Sequence, residues 1–297
     1  MFATNMDTAS SFTFDEKTHS YFLDGKPMTG VTTVLGMVAK PALLPWAVKC
    51  AIEHIQSNAK DITTNHDHDE PIYQVPLALL EEAKKAHTRK KDDAANKGTD
   101  VHGILEEIIK GAIEYTDGYI LAENLGGHPE NDQVRHFVEW AMNNKVKFTA
   151  SEKRVFSRTH FYAGTLDFLC EIDGKTYVGD IKTSNGVYGR SYFAQCAAYR
   201  LALEEMWAEE KEYKYTLRVQ DVQPGEYQKL HEEIEKEYPT FEGSLIVRIG
   251  KDGKFNEEKD VLFSPYYEDD RKFFLSALEL YRQENNMFEA TYYKPRK

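Results

Sequence analysis

Apolar and polar positions change their period along this chain, and each change marks a switch of element. Over residues 12–35, the short alternating runs FTFD and HSYFLDG lead to Asp24-Gly25, a dipeptide suited to a tight turn, before KPMTGVTTVL. They predict a β-hairpin feeding a helix. Residues 43–55 have helical spacing, with Leu44, Ala47, Ala51, Ile52 and Ile55 on one side. Residues 57–76 are polar and turn-rich. Helical spacing returns over about 76–91 and again over 93–112, where Val101, Ile104, Leu105, Ile108 and Ile109 make an apolar stripe. A further helix is expected over about 130–143, after a polar loop.

The period then falls to two. Residues 151–157 (SEKRVFS), 164–172 (GTLDFLCEI) and 175–184 (KTYVGDIKTS) read as three consecutive strands, the last two joined by an Asp173-Gly174 turn. A helix over 191–207 follows, then strands over 243–249 and 260–264, and a closing helix over about 269–283. Helix, three strands, helix, two strands, helix implies an α/β fold with a mixed central sheet flanked by helices.

Composition narrows the classes. A hydrophobic fraction of 41% and a charged fraction of 29% in 297 residues suffice for a sizeable core and exclude global disorder. The 37 Lys and Arg against 49 Asp and Glu give a net charge of -12, which excludes coating of nucleic acid by bulk positive charge but not a local basic groove. Cys50, Cys170 and Cys196 are odd in number and lack a CxxC pair, so they are expected as buried free thiols, with no iron-sulfur cluster. No secretory leader and no apolar run near ~18 residues is found, so a soluble, cytoplasmic protein without membrane contact is expected.

Candidate chemistry concentrates on the strands. Side chains alternate along a strand, so Asp180 and Lys182 face one way while Ile181 faces the other. The Asp173-Gly174 turn makes their strand a neighbour of the one carrying Asp167. Two carboxylates and an ammonium on one side of a sheet suit phosphodiester hydrolysis: oxygens hold Mg²⁺ or Mn²⁺, which makes a water more acidic, and the lysine offsets developing charge. Alone, an Asp-x-Lys at a strand end is more often a surface ion pair. The His66 to Glu70 tract HDHDE is read as a solvated loop without function. Lys84, Lys85, His87, Arg89, Lys90 and Lys91 form a basic cluster, either a solvated helix face or a phosphate-contacting patch.

Taken together, KGTDVHGILE (97–106), SEKRVF (151–156), GTLDFL (164–169), GDIKTS (179–184) and QCAAY (195–199) resemble the PD-(D/E)XK nucleases. The likeness is to their RecB-like exonuclease branch, which includes phage-borne relatives and the mitochondrial genome-maintenance exonuclease. The resemblance implies a restriction-endonuclease-like core over 93–297 and an N-terminal hairpin and helical arm over 1–92, a wall that guides DNA. It implies that His102, Asp167, Asp180 and the carbonyl of Ile181 bind the metal and that Lys182 is the catalytic lysine. Gln195 and Tyr199 match an element that contacts DNA or braces the active centre. Glu152, on the first strand, is counted with the catalytic acids, and Glu106 follows the histidine as a residue that orients its neighbours; either can orient a ligand or the helix rather than touch the metal. Tyr21, Phe22 and Trp46 either stack on bases or pack in the core.

The activity implied is a Mg²⁺- or Mn²⁺-dependent exonuclease acting on DNA that is single-stranded or has accessible ends. Its setting would be phage replication, recombination or DNA degradation, in the host cytoplasm if phage-encoded and alongside replication or recombination proteins. The alternatives are an endonuclease with the same site and a non-catalytic nucleic-acid-binding protein.

Overall fold

A computed structural model describes residues 11–38, 40–41, 43–65, 72–125, 131–184, 186–187, 189–223, 225–250 and 253–289. The HDHDE tract lies outside them. By its contacts the chain divides into two compact units, Met1–Val38 with Ile104–Lys297, and Ala39–Gly103.

The elements run β1 (Phe12–Asp15), β2 (Ser20–Leu23), β3 (Lys26–Gly30), α1 (Val31–Leu35), α2 (Leu43–Ser57), β4 (Thr63–Asn65), β5 (Ile72–Gln74) and α3 (Leu77–Tyr115). They continue with α4 (Asp132–Asn143), β6 (Lys147–Ser157), β7 (Tyr162–Ile172), β8 (Lys175–Lys182), α5 (Ser191–Arg218) and α6 (Tyr227–Glu235). The chain ends with β9 (Phe241–Arg248), α7 (Glu257–Asp260), β10 (Val261–Ser264) and α8 (Tyr267–Glu289).

Both expected hairpin turns form. Asp24 and Gly25 take φ of 51° and 74°, Asp173 and Gly174 take 50° and 74°, the doubly positive pair that matches strand twist. The N-terminal hairpin gains a third strand and joins the main sheet, because β3 pairs in parallel with β7. It therefore belongs to the larger unit, while Ala39–Gly103 forms the smaller. The two helices expected over 76–91 and 93–112 are one, α3, since neither Pro nor a capping break separates them. α6 has no counterpart in the sequence reading.

The larger unit is a mixed eight-stranded sheet in the order β1-β2-β3-β7-β8-β9-β10, with β6 beside β7. Leu169 and Val178 pack with Ala194, Ala198 and Ala202 of α5 and with Phe274 of α8. Phe168, the neighbour of Leu169 and so directed to the other face, meets Phe148 at 5.3 Å and Phe137 of α4 at 6.3 Å between ring centres. The sheet is thus flanked by helices on both faces. α4 is capped by Asn131, whose side chain accepts from the backbone N–H of Gln133 and Val134. Burial of a phenylalanine such as Phe168 contributes about 1.5–3 kcal/mol.

The smaller unit comprises α2, the β4–β5 hairpin and the first part of α3. It buries Cys50, Leu79, Ala83 and Ala86, while Leu44, Val48 and Ile52 of α2 stand exposed. Among the described residues, no helix is long and apolar enough to cross a membrane. All three cysteines are free and buried.

Candidate active site

The three strands that pair with β7 set the geometry of the site. Tyr162 pairs with both Ser157 of β6 and Thr29 of β3, and Phe168 pairs with both Ser151 of β6 and Gly179 of β8. β3 and β8 therefore share the edge of β7 away from β6. Among the described residues, neither pairs with β7 over 164–167, and Asp167 lies at the end of that opening.

Three acids occupy one step across adjacent strands. The β6–β7 register passes from Ser151↔Phe168 to Lys153↔Leu166, skipping Glu152 and Asp167, and Glu152 adopts a φ of 46°. The β7–β8 register ends at Phe168↔Gly179, one step before Asp167 and Asp180 would face each other. In place of a ladder bond, the backbone N–H of Ile181 donates to Asp167 Oδ2 at 2.7 Å. Opening both ladders at the same step frees the side chains to converge, at the cost of a left-handed glutamate.

Asp180 is fully buried, and Lys182 answers its charge: Nζ lies 2.8 Å from Oδ1 and 2.6 Å from Oδ2. Gln195 of α5 donates from Nε2 to Asp180 Oδ1 at 2.9 Å and to Tyr199 Oη at 3.1 Å. Glutamine and tyrosine, one helical turn apart, thus brace Asp180 from the layer above the sheet. The Tyr199 ring leans on Gly164, where an added Cβ would lie 2.5 Å from Cε1, so only glycine fits there. Lys182 Nζ also sits 5.4 Å from the centre of the Tyr192 ring.

Acidic charge is in excess at this site. Glu152 is pushed up to about 7 by burial and by the charges of Asp167 and Glu106. Burial also raises Asp167, against the pull of Lys182 and of the Ile181 N–H. For Lys182, burial works against the charged form, but Asp180 and Asp167 prevail and hold the ammonium protonated. Glu106 is close enough to raise both Glu152 and Asp167, and it accepts from Lys110.

The remaining residues singled out from the sequence fall as follows. His102 is half-buried in α3, four residues before Glu106, within the smaller unit. Lys84 pairs with Glu81 at 2.5 Å, Lys90 with Glu53 at 2.6 Å and Arg89 with Glu82 at 3.7 Å, so acids of the same unit offset part of the basic cluster. Lys85 and Lys91 are exposed on α3. Tyr21 and Trp46 make the packing contacts that the sequence allowed, Tyr21 with Phe14 and Trp46 with His87.

No protein-family model matches the chain, and no curated protein matches it. Among the described residues, no group of three or more His, Cys, Asp or Glu is gathered so as to hold a metal ion.

Sequence reasoning did not single out Thr165 or Arg248, and it named Tyr21 without placing it at the site. Tyr21 Oη and Thr165 Oγ1 meet at 2.9 Å beside the opening in β7. The alternation of Thr165 with Asp167 was a signal for the threonine; the tyrosine needed the β3–β7 pairing. Arg248 of β9 stands opposite Lys182 in the parallel register, a relation between residues 66 positions apart in the chain.

Proposed function

We propose that this chain is a metal-dependent nuclease of the PD-(D/E)XK type that hydrolyses DNA phosphodiester bonds from an end. The observation that carries the reading is the meeting of Asp167 with the Asp180–Lys182 ion pair through the Ile181 N–H, at one step of neighbouring strands. Structural ion pairs perturb pKa values too, but here three acids and one lysine sit where both strand ladders open, a placement of little use to packing.

Carboxylate oxygens are the donor chemistry that a hard divalent cation takes, although the described residues do not gather three such groups as they stand. Burial and the charges of Asp167 and Glu106 raise Glu152, and burial and Glu106 raise Asp167, an excess of negative charge that Mg²⁺ or Mn²⁺ would relieve. Asp167 and Asp180 would hold the ion, with the Ile181 carbonyl as a further ligand that the family resemblance implies. When bound, it supplies Lewis acidity toward a phosphoryl oxygen and makes a water a better nucleophile. Lys182 keeps its proton and offsets the charge that grows on the phosphoryl oxygens. Gln195 fixes the rotamer of Asp180 against Tyr199, and Glu152 holds a proton near neutral pH that it can exchange with water.

Degradation of end-labelled linear and closed circular DNA, single- and double-stranded, tests this with Mg²⁺, Mn²⁺ or EDTA and with Asp180→Ala in parallel. Metal-dependent loss of linear DNA only, abolished by the substitution, is the expected result. Cutting of circles would turn the reading to an endonuclease with the same site. Inactivity on every substrate with either metal would overturn it.

A further inference from the structure

We infer that Arg248 and Asp260 are positioning residues that hold the end of β8 so that Lys182 reaches Asp180. This rests on the nuclease reading only for its effect on cleavage rate.

Lys182 is the last residue of β8, where a strand end is free to fray unless tied. Two ties flank it. Its carbonyl accepts from the Ile249 N–H at 2.8 Å, and the Ile249 carbonyl in turn accepts from Gln133 Nε2 at 2.5 Å. Two residues further on, the Ser184 carbonyl faces Arg248 Nη1 at 3.4 Å. Arg248 can make that contact because its other donors are anchored: Nε and Nη2 both reach Asp260 Oδ1 at 2.6 Å. Asp260 is itself buried and fixed, with Oδ2 accepting from the Asn256 N–H at 2.8 Å.

The guanidinium suits this task because its rigid fork serves a carboxylate and a carbonyl together, which one ammonium on a flexible stem does not. A buried ion pair is a weak source of stability compared with an apolar pair of the same shape. Its location, opposite Lys182 in register, accounts for it better: the main chain on both sides of Lys182 is locked to β9, and misplacement of a reacting group by about 1 Å is enough to cost much of the rate.

The test uses the full chain carrying ¹³C at the lysine ε-carbon, in wild type, Arg248→Lys and Asp260→Asn. Lys182→Arg identifies the Lys182 signal by its loss, and the Tyr192 ring gives that signal a ring-current shift. In both positioning variants we expect the signal to move toward that of exposed lysines while the other lysine signals stay. Cleavage of linear DNA should fall about 10- to 100-fold with DNA affinity nearly unchanged. Should a single variant fail to fold, Arg248→Met/Asp260→Leu, which leaves neither charge buried alone, gives the same readout. An unmoved Lys182 signal in a folded variant overturns the inference, even in an active nuclease. A moved signal in a protein that cleaves nothing with either metal leaves it standing and removes the nuclease reading instead.

Discussion

The backbone N–H of Ile181 donates to the carboxylate of Asp167 at 2.7 Å, across the point where β7 and β8 stop pairing. That bond replaces a ladder rung with a charged acceptor and holds the β7 carboxylate against the strand that carries Asp180 and Lys182. Charge-assisted bonds of this kind are shorter and stronger than neutral ones.

The Asp180–Lys182 pair should behave as a unit in stability. Lys182→Met leaves a fully buried carboxylate without its ammonium, and we expect a loss of about 3–5 kcal/mol. Adding Asp180→Asn should recover most of it. Urea denaturation of the two single variants and the double would show the coupling; additive losses would mean that the pair is held apart in solution.

Glu152 predicts a pH dependence of the metal-free protein. Its folded pKa, about 7, lies above the ordinary 4.5, so the folded state binds the extra proton. The stability from that proton is complete below about pH 4.5 and is lost as the pH rises through about 7. Glu152→Gln has no proton to lose, so it should gain on wild type across that window. Denaturation curves in EDTA at pH 4.5, 6 and 8 would reveal this as a widening gap. A constant gap would place the Glu152 carboxylate in open solvent.

Gly164 lies under the Tyr199 ring, and a methyl group there would meet Cε1 at 2.5 Å. Gly164→Ala should cost about 1–3 kcal/mol by overpacking. Because Tyr199 accepts from the same Gln195 that holds Asp180, cleavage should fall by more than the fraction unfolded explains. Smaller side chains at 199 separate the effects: Gly164→Ala combined with Tyr199→Leu should regain stability without regaining rate.

Much of the sheet was legible in the sequence. Period-two alternation, with two dipeptides able to take positive φ, located β6 to β8 and the turn joining the last two. The same alternation put Asp180 and Lys182 on one side of β8, and they form an ion pair there. Local rules reached these features because each depends on residues within a few positions of one another. They misjudged α3, where a polar stretch between two apolar stripes looked like a break yet stays helical through Tyr115. α6 was missed because its buried face is only Leu230 and Ile234.

What the sequence by itself determined was the central strands β6 to β10, the two tight turns and the types of residue available for chemistry, since side-chain period and turn conformation are properties of the local backbone; β4 and β5 lie in a stretch read as polar loop. Only the tertiary structure decided that β3 and β8 share one edge of β7, that both ladders open at Glu152, Asp167 and Asp180, and that α5 lowers Gln195 onto Asp180. Those relations join residues far apart in the chain. They follow from which faces can be buried together, a condition that no local pattern contains.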